Sequence, residues 1–111
     1  MGISTHILDT SLGKPANAVA IVLERQITAE GEFERVAGGT TDADGRLKLV
    51  EGEPAAGTYR LRFAIGEYFW RAGREAFFPI AEVAFVVKNT NEHYHVPLLL
   101  NPFGYSTYRG S

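Results

Sequence analysis

The chain contains no cysteine, so no disulfide staples the fold and no thiolate serves as nucleophile or zinc ligand. Packing and hydrogen bonding must supply the stability. A basic excess is also missing: eleven Lys and Arg stand against thirteen Asp and Glu, a formal net charge of −2. The basic residues are scattered, which argues against nucleic acid or an anionic membrane as a partner. No run reaches the ~18 apolar residues that a membrane-spanning helix needs. The start, Met1-Gly2-Ile3-Ser4-Thr5-His6, has neither the charged opening nor the apolar stretch of a secretory signal. A cytoplasmic protein is the expectation. Internal repeats, low-complexity segments and linkers are absent as well.

What the chain does have is 45% hydrophobic residues spread over 111 positions, enough for one core and too few for two. Its periodicity is that of strands. Tyr59, Leu61, Phe63 and Ile65 alternate with Arg60, Arg62 and Ala64, the cleanest two-residue period in the sequence. Thr5 to Asp9, Ala18 to Gln26, Phe33 to Ala37, Leu47 to Val50, Val83 to Val87, His93 to Leu100 and Tyr105 to Arg109 read as further strands. In the first, Ser4, His6 and Leu8 share one face and Thr5, Ile7 and Asp9 the other. Glu67 to Ala76 breaks the alternation and predicts one or two helical turns. Seven or eight short strands with at most one brief helix predict an all-β fold, an antiparallel β-sandwich.

Turn chemistry divides the strands. In Thr41-Asp42-Ala43-Asp44-Gly45-Arg46 the aspartates can cap their own backbone and glycine can take a positive φ. The Asp-x-Asp-x-Gly spacing is also that of a calcium loop, but the downstream glutamate is missing. Asn101-Pro102-Phe103-Gly104 predicts a hairpin returning Tyr105 to Arg109 beside His93 to Leu100. The alternation puts His93, His95, Pro97 and Leu99 on one face of that strand and Tyr94, Val96, Leu98 and Leu100 on the core face. Pro97 cannot donate to a ladder, so either the strand bulges there or its outer neighbour pairs only in part.

The candidate chemistry lies in three histidines, an arginine after a rigid turn and a polar tail. Imidazole titrates near neutrality and can take a proton from water and return it, although an isolated strand histidine is ordinarily a solvated surface residue. His6, His93 and His95 could instead form a three-imidazole zinc site with one open position; nothing in the spacing of the carboxylates supports it. Arg46 alone reads as a solvated hairpin residue, or as a planar donor fork held toward an anionic or carbonyl-rich ligand. Tyr108, Arg109, Gly110 and Ser111 supply a phenol, a guanidinium, a flexible joint and a hydroxyl at a position where chains commonly fray.

The segments Thr5-His6-Ile7-Leu8-Asp9, Tyr94-His95-Val96-Pro97 and Tyr108-Arg109-Gly110-Ser111 resemble motifs of the transthyretin family, specifically its 5-hydroxyisourate hydrolases. The likeness covers essentially the whole chain, residues 1–111 as a single transthyretin-like domain. Asn101 departs from the serine of the family pattern, in a turn away from the candidate chemistry. The resemblance implies two four-stranded sheets, one short helix, a homotetramer, no metal and no cofactor.

It further implies hydrolysis of the small molecule 5-hydroxyisourate in urate degradation, yielding 2-oxo-4-hydroxy-4-carboxy-5-ureidoimidazoline. His6, His95 and Ser111 would be catalytic, and His6, Arg46, Tyr108, Arg109 and Gly110 would bind substrate. His93 matches no functional position of the family and reads as surface. Alternation points Arg109 opposite to Tyr108, toward orienting the tail or meeting a neighbouring subunit. Two rivals belong to other classes. One is a transthyretin-like carrier, in which His6, Arg46, His95 and the tail would be replaced by smaller or apolar groups. The other is a plain adhesion sandwich, in which these side chains would not cluster.

Overall fold

The structure, a computed structural model, describes residues 1–111. All eight strands expected from the periodicity are present, with some boundaries displaced by a few residues. They are β1 (Gly2–Asp9), β3 (Ala20–Gln26), β4 (Phe33–Thr40), β5 (Arg46–Glu51), β6 (Gly57–Phe63), β7 (Ala81–Val87), β8 (His93–Asn101) and β9 (Gly104–Thr107). The ninth, β2 (Lys14–Pro15), is a two-residue pairing in a segment that turn composition assigned to a loop. The helix α1 (Ile65–Arg71) begins as the alternation ends. It starts two residues before the predicted span because Ile65, Gly66 and Phe69 form the buried face, a three-to-four-residue spacing. No helix is long and apolar enough to cross a membrane.

Two sheets make the sandwich. One runs β4-β3-β6-β7, antiparallel throughout; in the other β1 lies at the centre between β8 and the pair β5 and β2, and β9 continues beyond β8. Both β5 and β2 pair with the same edge of β1, β5 along Gly2–His6 and β2 along Leu8–Asp9. The working width of that sheet is therefore four strands. One ladder is not antiparallel: β1 and β8 run parallel, in unbroken register from Gly2↔His93 to Asp9↔Leu100. That pairing joins strands 84 or more residues apart only because the intervening chain has built the facing sheet.

Alternation decides what faces the core. Ile3, Ile7, Tyr94, Val96, Leu98 and Leu100 from the first sheet meet Ile21, Leu23, Tyr59, Leu61, Phe63 and Val87 from the second, all buried. The opposite face of β1 and β8 carries Ser4, His6, His93 and His95. Pro97 resolves as partial pairing. The β8–β9 ladder stops at Leu98↔Thr107 and resumes as a single bridge at His95↔Gly110. Between them the Pro97 carbonyl accepts the Thr107 hydroxyl hydrogen at 2.7 Å, so the proline costs no ladder bond.

The end of β1 is fixed by a buried carboxylate. Asp9 is fully buried and accepts from the Tyr68 hydroxyl and Arg74 Nη1, both at 2.9 Å, and from the Ser11 hydroxyl and backbone N–H. Burial pushes its pKa up, but the hydrogen bonds from Ser11, Arg74 and Tyr68 and the Arg74 charge outweigh it, and the net shift is down. Tyr68, half-buried and donating to that carboxylate, is pushed up to about 12. A depressed carboxylate contributes stability that is present above its unfolded value of ~3.9 and lost as pH falls through the folded value. Arg74→Met is expected to lower unfolding free energy by about 3 kcal/mol, because it strands a buried charge. Urea titration at neutral pH reads that loss, and an acid titration should show unfolding moved to higher pH; unchanged midpoints in both would contradict the role given to this cluster.

Candidate active site

The outward face of β1 and its two neighbours forms an open cleft of about 260 Å³ lined by Ser4, Thr5, His6, Arg46, Leu47, Lys48, His93, His95 and Ser111. Register explains the set. Across the antiparallel ladder Ser4 faces Lys48 and His6 faces Arg46, while across the parallel ladder Ser4 faces His95 and His6 faces Pro97. Residues paired in this way share a face of the sheet. Two imidazoles from opposite ends of the chain therefore stand within one or two strand spacings of a guanidinium and an ammonium. No Asp or Glu side chain lines the cleft.

Arg46 is presented by a closed turn. The Asp42 carboxylate accepts from the Asp44 and Arg46 backbone N–H groups, both at 2.9 Å, and the Gly45 N–H donates to the Asp42 carbonyl at 2.9 Å. Those bonds, led by the one from Arg46, hold the Asp42 carboxyl below the usual range. Gly45 has φ of 75° and its carbonyl accepts from the Ile7 N–H at 2.8 Å; a Cβ there would stand 2.4 Å from the Ile7 carbonyl oxygen. Only glycine fits a left-handed turn pressed this closely on β1. The Asp42 carboxylate of the segment that resembled a calcium loop is thus occupied in shaping the turn.

His95 is half-buried. Its Nδ1 lies 2.8 Å from Ser4 Oγ, which also lies 2.9 Å from His93 Nε2. The two rings stack with centroids 6.3 Å apart and planes 22° off parallel. Burial lowers the His95 pKa, and the neighbouring His93, His6 and Arg46 push the same way. The imidazole is held neutral at physiological pH, which is what a proton acceptor requires. No three His, Cys, Asp or Glu side chains converge with the geometry of a metal site.

The tail is drawn in by backbone pairing. The Gly110 N–H donates to the His95 carbonyl at 2.8 Å, and a Cβ at Gly110 would come within 2.6 Å of His95 Cδ2. The missing side chain lets the tail lie flat on the imidazole, and Ser111 reaches the cleft. Arg109 is turned away from it: Nη2 donates to Glu92 Oε1 at 3.1 Å and to the His93 carbonyl at 3.3 Å, and the guanidinium lies 4.6 Å from the Tyr94 ring centroid. Tyr108 is exposed and lines, with Arg109, a more apolar groove between β7 and β8.

Among the residues singled out from sequence, the fold brings His6, Arg46, His95 and Ser111 into one cleft, with Gly110 packed against its wall. It does not bring Tyr108 and Arg109 there within one chain. Reading the sequence missed Ser4, Lys48 and His93. The signal was available, since two-residue alternation already set Ser4 beside His6 and His93 beside His95; only the pairing of β1 with β5 and β8 gives that alternation a shared surface.

The chain resembles known proteins along nearly its whole length. The family model described as HIUase/Transthyretin family matches residues 3–110. The 5-hydroxyisourate hydrolase of Salmonella dublin is 49% identical over 111 residues, covering 98% of this chain and 80% of its own. Among solved structures, Klebsiella pneumoniae 5-hydroxyisourate hydrolase superposes with a TM-score of 0.87 at 41% identity, covering all of both chains. Sea bream transthyretin in complex with thyroxine gives 0.91 at 34% identity, covering 99% of this chain and 95% of that one. With its sandwich, its pairing of first and eighth strands and a match along nearly its whole length, this chain belongs to the HIUase/Transthyretin family.

Proposed function

We propose that the chain is a hydrolase that opens the six-membered ring of 5-hydroxyisourate to give 2-oxo-4-hydroxy-4-carboxy-5-ureidoimidazoline. The observation that carries this reading is the convergence of His6, Arg46, His95 and Ser111 in one polar, cationic cleft. The backbone superposes on a hydroxyisourate hydrolase and a thyroxine-bound transthyretin about equally well, so the backbone does not choose between hydrolysis and carriage. The side chains favour hydrolysis. A planar, carbonyl-rich ring suits donors and imidazoles, whereas an apolar hormone would leave them desolvated and unpaired.

In this mechanism a neutral imidazole, His95 with His6 beside it, takes a proton from water. The water oxygen adds to the ring carbonyl carbon next to the scissile nitrogen, and the carbonyl oxygen becomes an oxyanion. Arg46 faces that charge with a fork of N–H donors, and preorganised donors of this kind contribute several kcal/mol to barrier lowering. Collapse breaks the carbon–nitrogen bond, and the imidazolium returns its proton to the leaving nitrogen. The Ser111 hydroxyl orients the water. Arg109 positions the tail through Glu92 and Tyr94, and Gly110 allows the tail to approach His95.

The cleft is smaller than the ~300 Å³ usual for a closed small-molecule site, and it is open to solvent. A further copy of the chain would roof it, and we place Tyr108 among the groups that complete the site in a homotetramer. Size-exclusion chromatography with light scattering tests this: a monomer that turns over substrate at full rate contradicts it.

Freshly generated 5-hydroxyisourate, followed by ultraviolet absorbance, tests the activity itself. His95→Ala and His6→Ala are each expected to lower kcat/KM by roughly 100-fold or more; near-wild-type rates in both would remove the assignment. The pH profile carries a sign. A base whose pKa is depressed stays neutral into mildly acidic solution, so the acid limb of kcat/KM should fall below the ordinary histidine value of ~6.5. Arg46→Ala removes a charge that penalises the imidazolium, so it should move that limb upward while also reducing the rate.

A further inference from the structure

His95 can accept a proton only through a ring nitrogen that carries a lone pair facing the cleft, and its other nitrogen, Nδ1, is 2.8 Å from Ser4 Oγ. The Ser4 hydroxyl has one hydrogen to give and lone pairs to accept, and it stands between two imidazoles, with His93 Nε2 at 2.9 Å. Two hydrogen patterns satisfy both contacts while using the Ser4 hydrogen between the two rings. In one, His93 Nε2–H donates to Ser4 and Ser4 donates to His95 Nδ1; the hydrogen of neutral His95 then sits on Nε2 and the ring cannot act as a base there. In the other, His95 Nδ1–H donates to Ser4 and Ser4 donates to His93 Nε2, which leaves the lone pair of His95 on Nε2.

We propose that Ser4 and His93 are positioning residues that hold His95 in the second pattern, with Nδ1 carrying the hydrogen and Nε2 free to deprotonate water. This rests on the reading of His95 as the base. The geometry holds the two contacts in place from three sides, and the need for a free Nε2 on the base selects the pattern. Ser4 is nearly buried and held in register between β5 and β8, so its hydroxyl has little freedom to turn elsewhere. His93 is anchored through its carbonyl by Arg109. Gly110 closes on the Cδ2 edge of the His95 ring, limiting rotation about the bond that carries it.

His93 is exposed, and in the second pattern it accepts the Ser4 hydrogen at Nε2 as a neutral imidazole. The charged groups around this chain of hydrogen bonds are His6 on β1, Arg46 and Lys48 on β5, Glu92 before β8 and Arg109 in the tail.

Nitrogen-15 NMR of the histidine rings tests the lock apart from activity. Wild-type protein near pH 7.5 is expected to show His95 protonated on Nδ1, and Ser4→Ala should shift it toward the Nε2–H form that free histidine favours. In kinetics, Ser4→Ala and His93→Ala should each lower kcat by roughly tenfold or more with little change in KM. The double variant should lose no more than Ser4→Ala alone, since both act through one hydroxyl. Wild-type His95 in the Nε2–H form, an unchanged tautomer in Ser4→Ala, or additive losses in the double variant would each overturn the lock. Absence of hydroxyisourate turnover by the wild type would instead overturn the proposed function, and the ring spectra would then decide the lock by themselves.

Discussion

The parallel ladder between β1 and β8 is the constraint on which the rest depends. It joins residues 2–9 to residues 93–100 in unbroken register, and it does so at the centre of a sheet, where both strands contribute to the core on one face and to the cleft on the other. A shift of one residue would exchange those faces. A slip of β1 would move Ile3 and Ile7 toward solvent and drive Ser4 and His6 into an apolar core, and a slip of β8 would do the same to Tyr94, Val96, Leu98 and Leu100 and to His93 and His95. Burial of those large side chains, each worth about 1.5–3 kcal/mol, therefore fixes the position of the imidazoles. Packing energy and site geometry are the same restraint seen from two sides of a sheet.

The cleft is built almost entirely from strand residues, with the Asp42–Arg46 turn and the tail as additions. This gives its side chains less freedom than loop residues would have, and it suits chemistry that needs charge held in place before the substrate arrives. Each addition reaches the site by backbone approach that a side chain would block. Gly45 lies against the Ile7 carbonyl and Gly110 against the His95 ring. Arg109, turned from the cleft, makes its contribution through Glu92, the His93 carbonyl and the Tyr94 ring, which hold the tail in line so that Ser111 is delivered.

A family that includes both hydrolases and a thyroxine-bound transthyretin illustrates that a backbone does not determine an activity. In this chain the distinction is electrostatic. Arg46, Lys48 and the imidazoles on one outer face give a cationic surface with no Asp or Glu side chain in its lining, while the groove at the open edge between β7 and β8 is largely apolar. The first is arranged for a polar ring, the second for packing.

Local chemistry determined much of this protein. Two-residue alternation, with the turn residues between, located the principal strands, the two faces of β1 and the inward face of β8, because a half-buried strand must bury every second residue. Aspartate and glycine located the turn before Arg46. The tail motif, through its resemblance to a known family, marked Ser111 and Gly110. What alternation could not supply was which strands are neighbours. The parallel β1–β8 pairing, the shared edge of β1 used by both β5 and β2, and the interruption of the β8–β9 ladder at Pro97 are contacts between distant residues, and no local period encodes them. For that reason His93 read as an ordinary surface histidine and Ser4 as an ordinary strand serine, until tertiary pairing set one hydroxyl between two imidazoles.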